Sequence, residues 1–156
     1  MATVYVNIGS NLGNRKENID NAVKAIETCF GKCVKSSLVE SEPWGFDSTN
    51  SFFNIGIRFE SNLSAKDILD RLQEIEKNIS PSSHRNLDGS YADRLVDIDI
   101  MAIDDLVIDE ELLTVPHRWL PYRKFFLLPM KELNPRWIHP LLGKTAEELE
   151  RLNLID

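Results

Sequence analysis

The chain contains 156 residues, of which 42% are hydrophobic and 28% are charged; this composition predicts one globular domain over residues 1–156 and excludes a disordered or fibrous chain. Lysine and arginine total 18 against 25 aspartate and glutamate, a net charge of −7, which argues against a nucleic-acid partner. No apolar run approaches the roughly 20 residues of a membrane span and no secretory leader precedes the first strand, so we expect a cytoplasmic protein without a membrane partner.

The first expected elements are a strand, a turn and a helix. Apolar residues alternate over residues 4–8, and residues 9–13 read Gly-Ser-Asn-Leu-Gly. This turn lacks both the ending of a Walker loop and the glycine spacing of a dinucleotide fold, so a tight strand-to-helix turn is favoured. Asn14 is the expected N-cap of the helix, with Glu17 three residues later. The two cysteines near its end are too few for a disulfide framework and are expected as packed, reduced thiols.

Two further strands and a second helix are expected next. Residues 32–42 predict a second strand, residues 43–51 a loop, and the alternating apolar residues of 53–59 a third strand. Ser64 is the expected cap of a second helix with an apolar face. The polar stretch over residues 80–93 has little to bury, which predicts a mobile loop over a site.

The most informative segment is residues 94–101, which read Arg-Leu-Val-Asp-Ile-Asp-Ile-Met. Side chains alternate between the faces of a strand, so Asp97 and Asp99 are expected to project from the same face. Two neighbouring carboxylates repel each other and lose solvation among apolar residues, and a hard cation such as Mg²⁺ relieves both penalties. A wet strand face with two solvated acids is the alternative. Arg94, which can bind an anionic ligand, favours a metal–phosphate site.

The rest of the chain predicts a hairpin and two short helices. Residues 104–105 would form a turn that leads residues 106–108 back as the hairpin partner of the acidic strand. Helices are expected near residues 122–128 and from Thr145, where Glu148 can complete a capping box. The order of elements indicates an α+β fold, namely a ferredoxin-like βαββαβ antiparallel sheet with helices packed on it and C-terminal additions.

A second polar segment follows the acidic strand. Residues 113–117 read Leu-Thr-Val-Pro-His, and the extended backbone that proline imposes on its predecessor lets the ring of His117 be aimed. Arg123 and Phe125 follow, and the basic residues gathered here suggest a small anionic ligand on an otherwise acidic protein. Taken alone, His117 is more often an ordinary partly buried histidine and Phe125 a core residue.

Taken together, these motifs resemble one known family. Residues 94–101 and 113–117, with Arg123 and Phe125 at matching intervals, are similar to the hydroxymethyl-dihydropterin pyrophosphokinases of folate biosynthesis, and the likeness runs from residue 5 to residue 140. The resemblance implies transfer of pyrophosphate from ATP, the co-substrate, to 6-hydroxymethyl-7,8-dihydropterin, with release of AMP, by a monomer that uses two Mg²⁺ ions. From the residues alone, a ferredoxin-like small-ligand regulatory module or another Mg²⁺-dependent Asp-x-Asp nucleotidyl- or glycosyltransferase stays open.

The resemblance also implies roles for individual residues. The residues with catalytic roles would be Arg94, Asp97, Asp99, His117 and Arg123, and the metal ligands would be Asp97 and Asp99. The pterin would be bound by Ser41, Glu42, Trp44, Phe52, Asn54, Asp97 and Phe125. ATP would be bound by Gln73, Glu76, Arg94, Ile100, Thr114, His117 and Arg123. The chain departs from the family at Leu112, where some members carry arginine, and over residues 80–93, where Arg85 and Tyr91 are the candidate lid residues.

Overall fold

The computed structural model describes residues 1–42, 51–80 and 95–153. In chain order the elements are β1 (Ala2–Ser10), α1 (Arg15–Phe30), β2 (Val34–Lys35), β3 (Val39–Ser41), β4 (Phe52–Ser61), α2 (Ala65–Ile79), β5 (Asp97–Ile103), β6 (Ile108–Asp109), β7 (Thr114–Val115), a 3₁₀ turn (Leu120–Tyr122), α3 (Lys124–Leu133) and α4 (Ala146–Leu152). The main sheet is antiparallel, with strand order β2, β4, β1, β5 and with β3 also paired to β4; β6 and β7 form a separate ribbon. Within the described ranges, no helix has the length and apolarity that crossing a bilayer requires.

Side-chain caps determine where three of the helices begin. The side chain of Asn14 accepts a hydrogen bond from the backbone N–H of Glu17 ahead of α1, at 3.1 Å. Ser64 does the same for Asp67 ahead of α2, also at 3.1 Å. Thr145 begins α4 with a reciprocal capping box. These caps satisfy N–H groups that have no partner inside the helix, and the helix starts predicted from them are confirmed.

Helices cover both faces of the main sheet. On one face, α1 and α2 pack over Val4, Val6 and Ile8 of β1, which are fully buried. On the other face, α3 packs against Tyr5 of β1 and Met101 of β5. Because side chains alternate along a strand, the acidic residues two and four positions before Met101 lie on the α3 face.

The single strand predicted over residues 32–42 is wrong, because the structure has two short strands there, β2 and β3, which both pair with β4. The side-chain hydroxyl of Ser36 accepts from the N–H of Gly56 at 2.8 Å, and Glu132 of α3 binds the backbone N–H of Ser37 at 3.0 Å. The backbone N–H of Ser36 still donates to the carbonyl of Gly56 at 2.8 Å, and the side-chain contacts interrupt the regular ladder beside it.

The hairpin predicted after the acidic strand is also wrong, because β6 pairs with β7 and not with β5. Asp104, whose φ is 47°, exchanges hydrogen bonds with Thr3 at the start of β1, and its carbonyl accepts from the indole of Trp137. These contacts lead the chain away from the edge of the sheet. The chain then forms the ribbon that carries residues 113–115 towards His117.

Two predicted boundaries need smaller corrections. Gly9 and Ser10 belong to β1, paired with Asn54 and Phe53, and not to the turn. The helix expected near residues 122–128 is α3, which continues to Leu133 and follows a separate 3₁₀ turn.

Candidate active site

Two rows of residues cross the strands β4, β1 and β5 on the face that α3 covers. In order from β4 through β1 to β5, the rows are Asn54, Gly9, Asp97 and Gly56, Asn7, Asp99. Directly paired residues of antiparallel strands project to the same face. The register therefore brings the two carboxylates together with two amide side chains on the face that α3 covers.

The first cavity lies over these rows and encloses about 360 Å³. Its lining residues are Asn7, Gly9, Ser41, Glu42, Phe52, Asn54, Asp97, Asp99 and Phe125. Every residue predicted to bind pterin that the structure describes is among them. Trp44, the remaining one, lies outside the described residues.

Gly9 forms the floor of this cavity. A Cβ added there would lie 3.1 Å from Oδ1 of Asn54 and 3.3 Å from Cδ1 of Phe52. The amide nitrogen of Asn54 donates to Oγ of Ser41 at 2.8 Å, which joins β4 to the end of β3. Phe125, at the start of α3, also lines the cavity. The cavity thus has a glycine floor, a polar edge and two aromatic side chains in its lining. These are features of a site for a flat ligand with hydrogen-bonding edges.

A second, larger cavity of about 1290 Å³ also borders the acidic strand. Its lining residues are Leu69, Leu72, Gln73, Glu76, Asp97, Ile98, Asp99, Ile100, Glu111, Leu112, Leu113, Thr114, His117 and Arg118. Five of the seven residues predicted to bind ATP are among them. Asp97 and Asp99 line both cavities, so the two spaces meet at the carboxylates.

Glu76 and His117 are held in place by backbone groups around β5. Oε1 of Glu76 accepts from the N–H of Ile98 at 3.1 Å. The N–H of His117 donates to the carbonyl of Met101 at 2.8 Å, and its Nδ1 accepts from the N–H of Trp119 at 3.1 Å. A neutral His117 ring therefore carries its proton on Nε2. Nε2 lies 3.9 Å from Oδ1 of Asp99, so this proton is close to the carboxylates.

The residues at the junction fit hard cations. Asp97 and Asp99 supply carboxylate oxygens, the donors that Mg²⁺ prefers, and Mg²⁺ is typically held by one or two carboxylates together with substrate phosphates. In the part of the chain that the structure describes, no three His, Cys, Asp or Glu side chains form a metal-binding group. Two carboxylates open to two cavities match a metal that completes its coordination with substrate and water.

The remaining predicted site residues are Arg123 and Arg94. Arg123 is the half-buried residue that precedes α3 and lines neither cavity. Arg94 lies outside the described residues, as do Arg85, Tyr91 and all but the first residue of the loop predicted over residues 80–93.

Sequence reasoning did not assign several of the lining residues to the site, among them Asn7, Gly9 and Arg118. Asn7 had a signal, since it is a polar residue within an apolar strand, but its place beside Asp99 depends on the strand register. Gly9 was assigned to a turn, although it is the floor of the first cavity. Arg118 lines the second cavity, where its guanidinium lies 5.5 Å from the ring centroid of Trp119; the concentration of basic residues in this segment was its signal.

Comparison with known proteins gives one family. A sequence model described as 7,8-dihydro-6-hydroxymethylpterin-pyrophosphokinase (HPPK) matches residues 5–135. The chain is 34% identical over 155 residues to the 2-amino-4-hydroxy-6-hydroxymethyldihydropteridine pyrophosphokinase of Aquifex aeolicus, which covers 99% of this chain and 94% of that protein. It is 36% identical over 143 residues to the protein of the same name from Porphyromonas gingivalis, covering 90% and 95% of the two chains.

A solved structure has the same fold. The wild-type Plasmodium falciparum HPPK-DHPS crystal structure aligns with a TM-score of 0.74 and 14% identity, over 97% of this chain and 44% of that one. The extent of the family match and the identity to full-length relatives lead to one conclusion: the chain belongs to the 7,8-dihydro-6-hydroxymethylpterin-pyrophosphokinase family.

Proposed function

We propose that this chain transfers the pyrophosphoryl group of ATP to 6-hydroxymethyl-7,8-dihydropterin in folate biosynthesis, as its family membership indicates. The observation that carries the proposal is that Asp97 and Asp99 line both cavities. With one substrate in each cavity, the pterin hydroxyl and the phosphate chain would meet at the two acids. The hydroxyl oxygen would bond to the β-phosphorus while the bond from that phosphorus to the α–β bridging oxygen breaks, so that AMP leaves.

The first cavity is proposed as the pterin site. Phe52 and Phe125 would contact the flat ring from two sides, where aromatic faces bind best. The contact of Asn54 with Ser41 holds its amide nitrogen, which leaves Oδ1 over Gly9 to accept from a ring N–H. The other members of this proposed site are Glu42, Asp97 and, from the family resemblance, Trp44.

The second cavity is proposed as the ATP site. Gln73, Ile100 and Thr114 line it and would contact the adenosine, together with Glu76, whose carboxylate is held against the start of β5. His117 would donate from Nε2 to a phosphate oxygen, because its Nδ1 is already an acceptor. Arg94 and Arg123 are proposed to bind phosphate oxygens on the strength of the resemblance.

Asp97 and Asp99 are proposed to hold two Mg²⁺ ions. When bound, such ions neutralise phosphate charge and favour ionisation of an attacking hydroxyl. The contribution of the protein is the fixed separation of the two carboxylates on one rigid strand and the position of His117 beside Asp99. These groups require no reorganisation during the reaction, which is the condition for strong electrostatic stabilisation.

We further propose that residues 1–156 form one pyrophosphokinase domain with a ferredoxin-like sheet, which the strand order β2, β4, β1, β5 supports. A monomeric state is proposed on the strength of the family resemblance alone. A cytoplasmic location is proposed because Cys29 and Cys33 are free thiols, as is usual in reducing compartments.

The test of the activity is the identity of the nucleotide product. The protein is incubated with ATP, Mg²⁺ and the reduced pterin, and we expect AMP and pyrophosphorylated pterin in equal amounts, with no turnover when the pterin or Mg²⁺ is omitted. ADP would indicate transfer of the γ-phosphoryl group, and free pyrophosphate would indicate nucleotidyl transfer. Either product would contradict the proposed reaction.

A further inference from the structure

Asn7 is a buried polar residue at the centre of an apolar strand. Its neighbours Val6 and Ile8 are completely buried against the helices of one face, whereas Asn7 projects to the opposite face and is 3% exposed. A buried amide is costly unless its polar atoms have partners. Because Asn7 lines the first cavity, its polar atoms can bind either to the protein or to a ligand in that cavity.

The amide nitrogen of Asn7 binds the backbone of Phe125. Nδ2 donates to the carbonyl of Phe125 at 2.8 Å. A carbonyl can only accept, so this bond fixes the orientation of the Asn7 amide. It also ties the first turn of α3, which carries Phe125, to β1.

The amide oxygen of Asn7 is available to accept a hydrogen bond from a ligand. Within residues 1–42, 51–80 and 95–153, Nδ2 to Phe125 is the only side-chain hydrogen bond of Asn7. Asn7 is paired with Asp99 across β1 and β5, and directly paired side chains have Cβ atoms about 4.5–5.5 Å apart. Oδ1 is therefore a neutral acceptor beside the carboxylates, in the row next to that of Asn54.

We propose that Asn7 is a further pterin-binding residue of this enzyme: it holds Phe125 through Nδ2 and accepts a hydrogen bond from the pterin through Oδ1. The inference rests on the proposed placement of the pterin in the first cavity. A reduced pterin carries several N–H donors on its edge, and a second amide acceptor would select for them over a purely aromatic ligand.

Asn134 supplies a matched control. Its Nδ2 donates to the hydroxyl of Tyr5 at 2.9 Å and ties the other end of α3 to the same strand, away from both cavities. We expect Asn7→Ala to raise the KM for the pterin by about tenfold or more, the effect of losing a buried hydrogen bond to a ligand. The KM for ATP should stay within about twofold. Asn134→Ala should lose similar stability and leave both KM values unchanged.

Three results would overturn the proposal: an unchanged pterin KM in Asn7→Ala, an equal rise in both KM values, or the same pterin effect in Asn134→Ala. Phe125→Leu tests separately whether the pterin binds in the first cavity. If the pterin KM is unchanged in both Asn7→Ala and Phe125→Leu, the pterin binds elsewhere. If it rises only in Phe125→Leu, the role of Asn7 alone is wrong. If Asn7→Ala does not fold, Asn7→Ser is used, with equilibrium binding of 6-hydroxymethyl-7,8-dihydropterin in the presence of Mg²⁺ and a non-hydrolysable ATP analogue. Wild-type affinity in that variant would equally overturn the proposal.

Discussion

Gly56 of β4 is a position where the sheet and α3 approach each other closely, and replacing it with alanine tests how the site is held. A Cβ at this position would lie 2.5 Å from Cβ of Pro129, 3.1 Å from Cδ1 of Leu133 and 3.5 Å from Cε of Met101. Carbon atoms in favourable contact lie about 3.5–4.0 Å apart. Leu133 and Met101 can change rotamer, but Cβ of Pro129 is fixed by its ring inside α3. Relief of the clash therefore requires the helix to move by roughly 1 Å.

Overpacking of this kind costs about 1–3 kcal/mol. For a domain of this size, each kcal/mol shifts the melting temperature by about 2–4 °C, so we expect Gly56→Ala to melt roughly 2–12 °C below the wild type. Because Phe125 lies at the start of the displaced helix, the pterin KM should also rise. The KM for ATP should change less, since α3 does not line the second cavity.

Thermal unfolding followed by circular dichroism, together with the two KM values, measures both effects. Gly9→Ala is the matched control, because the atoms nearest to its Cβ would lie 3.1 and 3.3 Å away, with no contact as short as the 2.5 Å at Gly56. We expect that variant to lose pterin affinity with little loss of stability. A Gly56→Ala protein that melts within about 1 °C of the wild type would show that the close packing of α3 on β4 is incorrect, and with it the reasoning from α3 to Phe125.

Three further outcomes follow from the same structure. Asp97→Asn and Asp99→Asn should each lower turnover at least about 100-fold while the melting temperature stays equal or rises, and near wild-type turnover at limiting Mg²⁺ would contradict the metal role. Burial lowers the pKa of His139 below its ordinary 6.5, and its Nδ1 accepts from the N–H groups of Leu141 and Leu142. The stability that His139 contributes is therefore present above pH 6.5 and lost as the pH falls through the lowered folded-state pKa. Urea titrations at several pH values should show that the free energy of unfolding falls less with decreasing pH in His139→Asn, which keeps an acceptor but does not titrate. Burial raises the pKa of the Cys33 thiol to about 11, so iodoacetamide at neutral pH should modify Cys33 only after unfolding, as peptide mass spectrometry would show.

The features that could be predicted from the sequence are those fixed by local chemistry. The caps at Asn14, Ser64 and Thr145 bind N–H groups three residues away, so a short stretch of sequence already contains both partners. The alternation around Asp97 and Asp99 likewise needs no distant residue to place both acids on one face. These local rules gave the helix starts and the acidic strand correctly.

The errors came from contacts between residues far apart in sequence. The break between β2 and β3 within residues 32–42 is held by Gly56 and Glu132. These residues lie 20 and 95 positions beyond their partners Ser36 and Ser37. The partner of β6 was missed because Thr3 and Trp137 redirect the chain at Asp104. The role of Asn7 was hidden for the same reason, since only the register between β1 and β5 shows that it lies opposite Asp99.

The same alternation determines both the stability of β5 and the position of the acids. Ile98 and Ile100 pack into the core formed with α1 and α2, and the acids occupy the positions between and before them. A slip of the β1–β5 pairing by one residue would turn Asp97 and Asp99 into that core and expose both isoleucines. Burying two unpaired carboxylates among apolar side chains is far more costly than losing two strand hydrogen bonds. The hydrophobic core therefore excludes the shifted register. Because Ile98 and Ile100 must face the core, Asp97 and Asp99 face the junction of the two cavities.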